Sequence, residues 1–264
     1  MGILDLDFMR NAFAASGIVA VVAGIVGVFL VLRGQTFAGH ALSHVGFAGA
    51  TAAGLIGLSP LGGMIAFTVL AGIGMGALGE RLSGRDVAVG IVLALSLGFG
   101  LLFLHYYTSF ATQASALLFG NVLAVSTGTL LTLAVLGVVA LVALAAISRP
   151  LLFATLQPEL AEARGVSQRT TGILFMAIVA ITVSASVQIV GVLLVFTLMV
   201  GPAAAAERLT TRLGPGVLLA ALIALAEAWL GVIIAFYTDW PVSFCITALS
   251  ALAYFAAVIA TRQA

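Results

Sequence analysis

The chain has no lysine and very little charge of either sign. Its ten basic residues are all arginine and are set against nine acids, for a formal net charge of +1. Charged residues make up 7% of the 264 residues, where a soluble domain carries about 25%. So little charge cannot cover a water-soluble protein of this size. A near-neutral chain also lacks the basic patch that a nucleic-acid partner requires. Without lysine no Gly-x-x-x-x-Gly-Lys phosphate loop exists, and no His-Glu-x-x-His zinc-protease motif occurs. The chain is therefore not expected to hydrolyse ATP by that route, and nothing in it asks for a permanently bound cofactor. Cys245 stands alone, which excludes an intrachain disulfide.

Apolar residues are abundant. They form 63% of the chain, and mean hydropathy is +1.29, so the solvent of this fold is lipid. Thirty glycines agree with that, because glycine is commoner in membrane helices than in soluble ones. A spanning helix needs ~20 apolar residues. The charge-free stretches then divide into one span at 12–32 and two within 34–79, broken near Ser59-Pro60. Two more and a short extra piece fill 87–148, two short spans fill 170–206, and two fill 213–261, split at Asp239-Trp240-Pro241. The sum is nine, or eight if 112–126 or 186–206 re-enters. No strand-like alternation supports a closed barrel. No internal repeat is evident, and neither is a signal peptide, since Asp5 and Asp7 stand where a basic region would be. The expected fold is all-α and polytopic, with residues 1–264 forming a single membrane domain.

Arginine placement tests this division independently. Arg33, then Arg81 and Arg85, then Arg149, Arg164 and Arg169, then Arg208 and Arg212, then Arg262 follow every second span. The loops between them carry no basic residue, which puts the N-terminus outside and the C-terminus in the cytoplasm. Arg10 is the exception, and Asp5 and Asp7 beside it offset its charge. Tyr106, Tyr107, Tyr237 and Trp240 gather at the outer ends, at headgroup level. The loop at about 150–168 differs from the others. Gln157-Pro158-Glu159 resembles a helix start and Arg164-Gly165 a helix end. Such a short inner helix either docks on a soluble partner or lies along headgroups.

Ionisable residues inside lipid are functional candidates, since each costs ~2.5–3.5 kcal/mol at a helix centre. His40 and His44 open the second span. At i, i+4 their Cβ atoms lie ~5–6 Å apart on one face, so that two nitrogens can converge on one cation. The face carrying them is expected to be otherwise small, with Gly46, Ala48, Gly49, Ala50, Ala52, Ala53 and Gly54 following. The alternative is a pair hydrogen-bonding across a helix interface, but ligand spacing beside small residues favours metal. Glu227, in the middle of its span, is a further ligand, a proton relay or a protonated interhelical partner. Gln188 and Asn121 are weaker candidates, His105 reads as interfacial, and Met176 and Met199 read as packing.

Several segments, in order, resemble the permease subunit of bacterial ABC importers for zinc, manganese and iron. Gly39-His40-Ala41-Leu42-Ser43-His44 is similar to that family's Gly-Asp-x-x-x-His, and 118–126 to its Leu-Phe-Gly-(Ser/Asn)-(Ile/Leu)-Leu motif. Pro158-Glu159-Leu160-Ala161 to Gly165 resembles its coupling helix. Val190 to Ala204 and Asp239-x-Pro241 match two further motifs. The resemblance implies a homodimer in the bacterial inner membrane. It would receive metal from an extracytoplasmic binding protein and be driven by cytoplasmic ABC ATPase subunits docked on Pro158–Gly165. It also implies that the metal-contacting pair is His40 and His44. Where the family has Asp, this chain has His40, and imidazole suits zinc better than a carboxylate does. The expected cargo is a divalent metal, zinc before manganese or iron. A proton-coupled secondary transporter is the competing reading.

Overall fold

The computed structural model describes residues 5–77, 85–106 and 117–262. Its helices are α1 (Asp7–Leu32), α2 (Thr36–Leu55), α3 (Pro60–Ala77), α4 (Arg85–His105), α5 (Thr127–Leu156), α6 (Pro158–Ala163), α7 (Gln168–Val190), α8 (Val192–Leu209), α9 (Leu213–Thr238) and α10 (Val242–Arg262). A 3-10 turn at Val122–Ala124 precedes α5, and no strand occurs among the described residues. The fold is an all-α polytopic membrane fold. Among the described residues seven helices, α1, α3, α4, α5, α7, α9 and α10, are long and apolar enough to cross a bilayer. α2 is not among them, since His40, His44 and its glycines dilute its apolar content. α8, the other short member of the expected set, is also outside the seven. Arg81, Tyr107 and most of the 105–112 loop lie outside the described residues.

The helix ends follow from local chemistry. Pro60 opens α3, where its missing N–H would have found no partner in any case. Asp239 closes α9 in the left-handed region at φ 56°, and Pro241 prevents continuation. Ser126 accepts the Thr129 amide at the start of α5, and Ser167 accepts that of Thr170 at the start of α7, each at 3.2 Å. Two prolines do not break their helices. α5 continues through Pro150 to Leu156, and α8 continues through Pro202. The loop expected from residue 150 is therefore helical for another turn and a half, because neighbouring groups can satisfy the carbonyl that proline leaves unbonded. Arg10 pairs with Asp7 at 3.8 Å, and both side chains are exposed.

The chain forms two compact units. One takes the described residues within Leu32–Ala114 and Val138–Ser184. In it α2 packs on α3 and α4. A Cβ on Gly49 would lie 2.5 Å from the Gly63 carbonyl oxygen, so the two backbones meet where only glycine fits. α3 continues onto α7 through Gly72, where a Cβ would lie 2.8 Å from the Met176 carbonyl oxygen. Thr68 and Ser184 share a buried hydrogen bond of 2.8 Å at this contact.

The other unit takes the described residues within Met1–Val31, Ser115–Gly137 and Ala185–Ala264. There α8, α9 and α10 pack against one another. α1 closes on α9 at Gly24, facing Ala220, and the Trp229 indole donates to the Phe13 carbonyl at 3.1 Å. α7 and α8 form one apolar run interrupted at Gly191, whose φ is 80°. Gly120, at φ 76°, sits against this break. A Cβ on Gly120 would lie 2.6 Å from the Gly191 nitrogen, and one on Gly191 would strike the Gly120 nitrogen and the Leu118 carbonyl oxygen. Both the dihedral and the space demand glycine. Asn11 anchors the following strand-like stretch by donating to the Val125 carbonyl at 3.2 Å.

Candidate functional site

α2 brings His40 and His44 together. Their ring centroids are 5.0 Å apart with planes at 83°. Two imidazoles bound to one tetrahedral cation through bonds of ~2.0–2.1 Å have centroids about 5 Å apart, so the spacing is compatible with a shared ion. His44 is buried at 9% exposure, and His40 is half-buried. The His44 Nδ1 is buried and makes no hydrogen bond. A buried polar atom of this kind calls for a partner, and a bound ion or water is the usual one. The Ser43 hydroxyl, between the two, donates to the His40 carbonyl at 2.7 Å and so leaves the imidazoles alone.

The small residues of α2 do not all share the histidine face. Gly46, Gly49 and Ala53 turn toward α3, against Met64, Thr68 and Gly63. The histidine stripe continues instead through Ala48 and Thr51, one and two turns beyond His44. Thr51 folds its hydroxyl back on the Phe47 and Ala48 carbonyls at 2.9 and 3.0 Å. Ala48 packs in turn on α4, where a Cβ on Gly100 would lie 3.5 Å from the Ala48 Cα.

Glu227 belongs to the other unit, on α9. It is 4% exposed, and Ser250 of α10 is the polar side chain beside it. The Ser250 hydroxyl also reaches toward the Thr197 carbonyl at 3.5 Å, and neither Glu227 oxygen has a well-formed hydrogen bond. Among the described residues, no third His, Cys, Asp or Glu joins the histidines in a cluster able to hold a metal ion. The Gln188 Oε1 is buried without a hydrogen bond, Asn121 is exposed, and His105 is exposed against the Tyr106 ring at 5.7 Å. Met176 and Met199 are buried at helix contacts.

The segment from Pro158 to Gly165 forms a helix with both expected ends. Pro158 occupies its first turn with Glu159, and Ala161 is its buried residue. The amide of Val166 bonds the Ala161 carbonyl at 2.9 Å, and that of Gly165 bonds the Glu162 carbonyl at 3.0 Å. This double bond pattern closes the helix with Gly165 at φ 81°. Glu159, Leu160, Glu162 and Arg164 point outward, and Leu156, just before them, is 70% exposed. The result is an exposed helical corner that presents apolar and charged side chains together. In the sequence Arg33 serves only as a marker of the cytoplasmic side, and its tertiary contacts were not expected. Its Nη1 donates to the Thr155 hydroxyl at 2.9 Å, and its guanidinium lies 5.6 Å from the Phe175 ring centre. A basic residue followed at once by Gly34, between two helices, was the available signal.

The chain is similar to the manganese transport system membrane protein of Listeria innocua, with 28% identity over 231 residues, 87% of this chain and 82% of that protein. It is similar to a probable metal transport system membrane protein of Treponema pallidum, with 32% identity over 264 residues, 98% of this chain and 97% of that one. Its fold matches the solved structure of PsaBC from Streptococcus pneumoniae in complex with Fab at a TM-score of 0.87 and 25% identity, covering 97% of this chain and 92% of the other. The sequence profile of the ABC 3 transport family matches residues 5–261. The chain belongs to the ABC 3 transport family.

Proposed function

We propose that this chain is the membrane permease of an ATP-driven importer of divalent transition metal. In this reading His40 and His44 contact the passing ion and α6 docks on a cytoplasmic ABC ATPase. A second copy of the chain completes the pore, and an extracytoplasmic protein delivers the metal. The ion is cargo rather than a resident cofactor. The observation that carries the site is the pair of imidazoles 5.0 Å apart, one with a buried nitrogen lacking a hydrogen bond. Two nitrogen ligands completed by water bind less tightly than a closed four-ligand cage, as a transit site requires. Glu227 is the candidate for a further ligand or for a proton carrier.

Two nitrogen donors favour zinc, since imidazole is the softer ligand. Manganese is the second reading, supported by similarity to relatives named for manganese transport. Competitive uptake of zinc and manganese decides between them, in vesicles holding the permease, its ATPase and its binding protein. The expected result is ATP-dependent uptake in which zinc outcompetes manganese and which His44→Ala abolishes without loss of assembled permease. Undiminished uptake by His44→Ala removes the site. Uptake driven by a proton gradient without ATP overturns the importer reading and moves Glu227 to its centre.

A further inference from the structure

We propose that Arg33 is a positioning residue that transmits displacement of α6 to α2, the helix carrying His40 and His44. The inference rests on the reading of α6 as the ATPase-docking element and of the two histidines as metal contacts. It concerns how one reaches the other.

Arg33 stands at the joint between α1 and α2. Only Gly34, at φ 63°, and Gln35 separate it from Thr36. The Gly39 amide already bonds the Gln35 carbonyl at 3.2 Å, so the chain is helical in its bonding from Gln35 onward. Along that axis His40 and His44 lie roughly 6 and 12 Å from Thr36. A shift passed from Arg33 through Gly34 to Gln35 therefore moves the imidazoles as part of one rod.

The guanidinium holds both helices that flank α6. Its Nη1 donates to the Thr155 hydroxyl, in the last turn of α5, at 2.9 Å. That hydroxyl donates its own proton to the Leu151 carbonyl at 2.7 Å, which orients a lone pair toward Arg33. On the other side the guanidinium lies over the Phe175 ring of α7 at 5.6 Å, an attraction that strengthens where water is excluded.

The corner joining Thr155 to α6 is stiff. Gln157 is the sole residue between α5 and α6, and its amide bonds the Phe153 carbonyl at 3.0 Å. Its carbonyl in turn accepts the Ala161 amide at 2.9 Å, so hydrogen bonding continues around the bend. Arg164 leans on Phe153 at 5.9 Å and ties the far end of α6 back to α5. A push on α6 thus reaches Arg33 through α5, and through α7 by way of Phe175. All these residues belong to one compact unit. The link works in both directions, because a coupling free energy between two binding sites is reciprocal.

Uptake and ATP hydrolysis, measured together in liposomes holding permease, ATPase and binding protein, test the link. Arg33→Ala and Thr155→Val should each lower metal moved per ATP by about tenfold, a usual size for coupling between sites, with hydrolysis and assembled yield near those of the parent. The double variant should be no worse than Arg33→Ala alone, since both act on one contact. Arg33→Lys should recover part of the ratio, keeping charge but losing the planar stacking group. An unchanged ratio in Arg33→Ala overturns the proposal. So does a parallel fall of uptake, hydrolysis and yield in both single variants, which marks a purely structural tie. Glu159→Arg separates the two levels. If it uncouples while Arg33→Ala does not, α6 stands as the docking helix and Arg33 falls. If Glu159→Arg couples normally, the docking assignment fails and the Arg33 link fails with it.

Discussion

Helices α2 and α4 pack on each other and are nearly equal in length, at 20 and 21 residues, yet they are built from different materials. α2 has fourteen buried residues, most of them Gly, Ala, Ser or Thr. α4 turns Val87, Ile91, Leu95, Phe99 and Leu102 outward, in one stripe spaced by three or four residues, and its spanning window is 17% buried. A face bounded by lipid needs only bulk and apolarity. A helix that holds two imidazoles within a membrane fold has to be wrapped by protein, because lipid offers polar groups no partner. Small side chains make the wrapping possible by letting neighbouring backbones approach.

Four substitutions break or sharpen this contrast. Gly63→Leu should be the most damaging, since even a Cβ there collides with Ala53 and the Gly49 carbonyl. No monodisperse permease peak is expected in size-exclusion chromatography, as overpacking of more than ~3 kcal/mol would produce. Leu42→Ala removes a side chain with 0% exposure from α2 and should destabilise by about 2–5 kcal/mol, read as a lowered midpoint of unfolding in micelles. His40→Asp returns a carboxylate to α2 and should shift the zinc-to-manganese uptake ratio toward manganese by about tenfold, equivalent to ~1.4 kcal/mol. Leu95→Ala deletes the same atoms as Leu42→Ala, but on a side chain that is 59% exposed. Its effect should stay within about 0.5 kcal/mol. Equal losses at Leu42 and Leu95 would mean that α4 is covered by a protein surface rather than by lipid.

Much of this architecture was legible before any coordinates. Ser59-Pro60 and Asp239-Trp240-Pro241 were the expected breaks, and the first lies where α3 begins while the second separates α9 from α10. Gln157-Pro158 and Arg164-Gly165 bracket α6 as expected, because capping chemistry is local. Pro150 does not end its helix, since in a membrane fold neighbouring groups can satisfy the carbonyl it leaves unbonded, and the sequence does not name those neighbours. The small residues of α2 were read as one face. The structure sends Gly46, Gly49 and Ala53 to α3 and sets Ala48 against Gly100 of α4. The contact of Gly120 with Gly191 joins two of the motifs that carried the family resemblance. Nothing in the linear spacing of those motifs announces that their backbones touch.

Composition alone made lipid the solvent of this protein, and the 3.6-residue period alone put His40 and His44 on one side of a helix. Both follow from properties that each stretch of chain carries with it, so no partner has to be known. Which side of α2 meets α3, which break Gly120 closes and which helices Arg33 holds were settled by tertiary packing. Those contacts join residues as far apart as Arg33 and Thr155, and their geometry exists only once all the helices have found their places together.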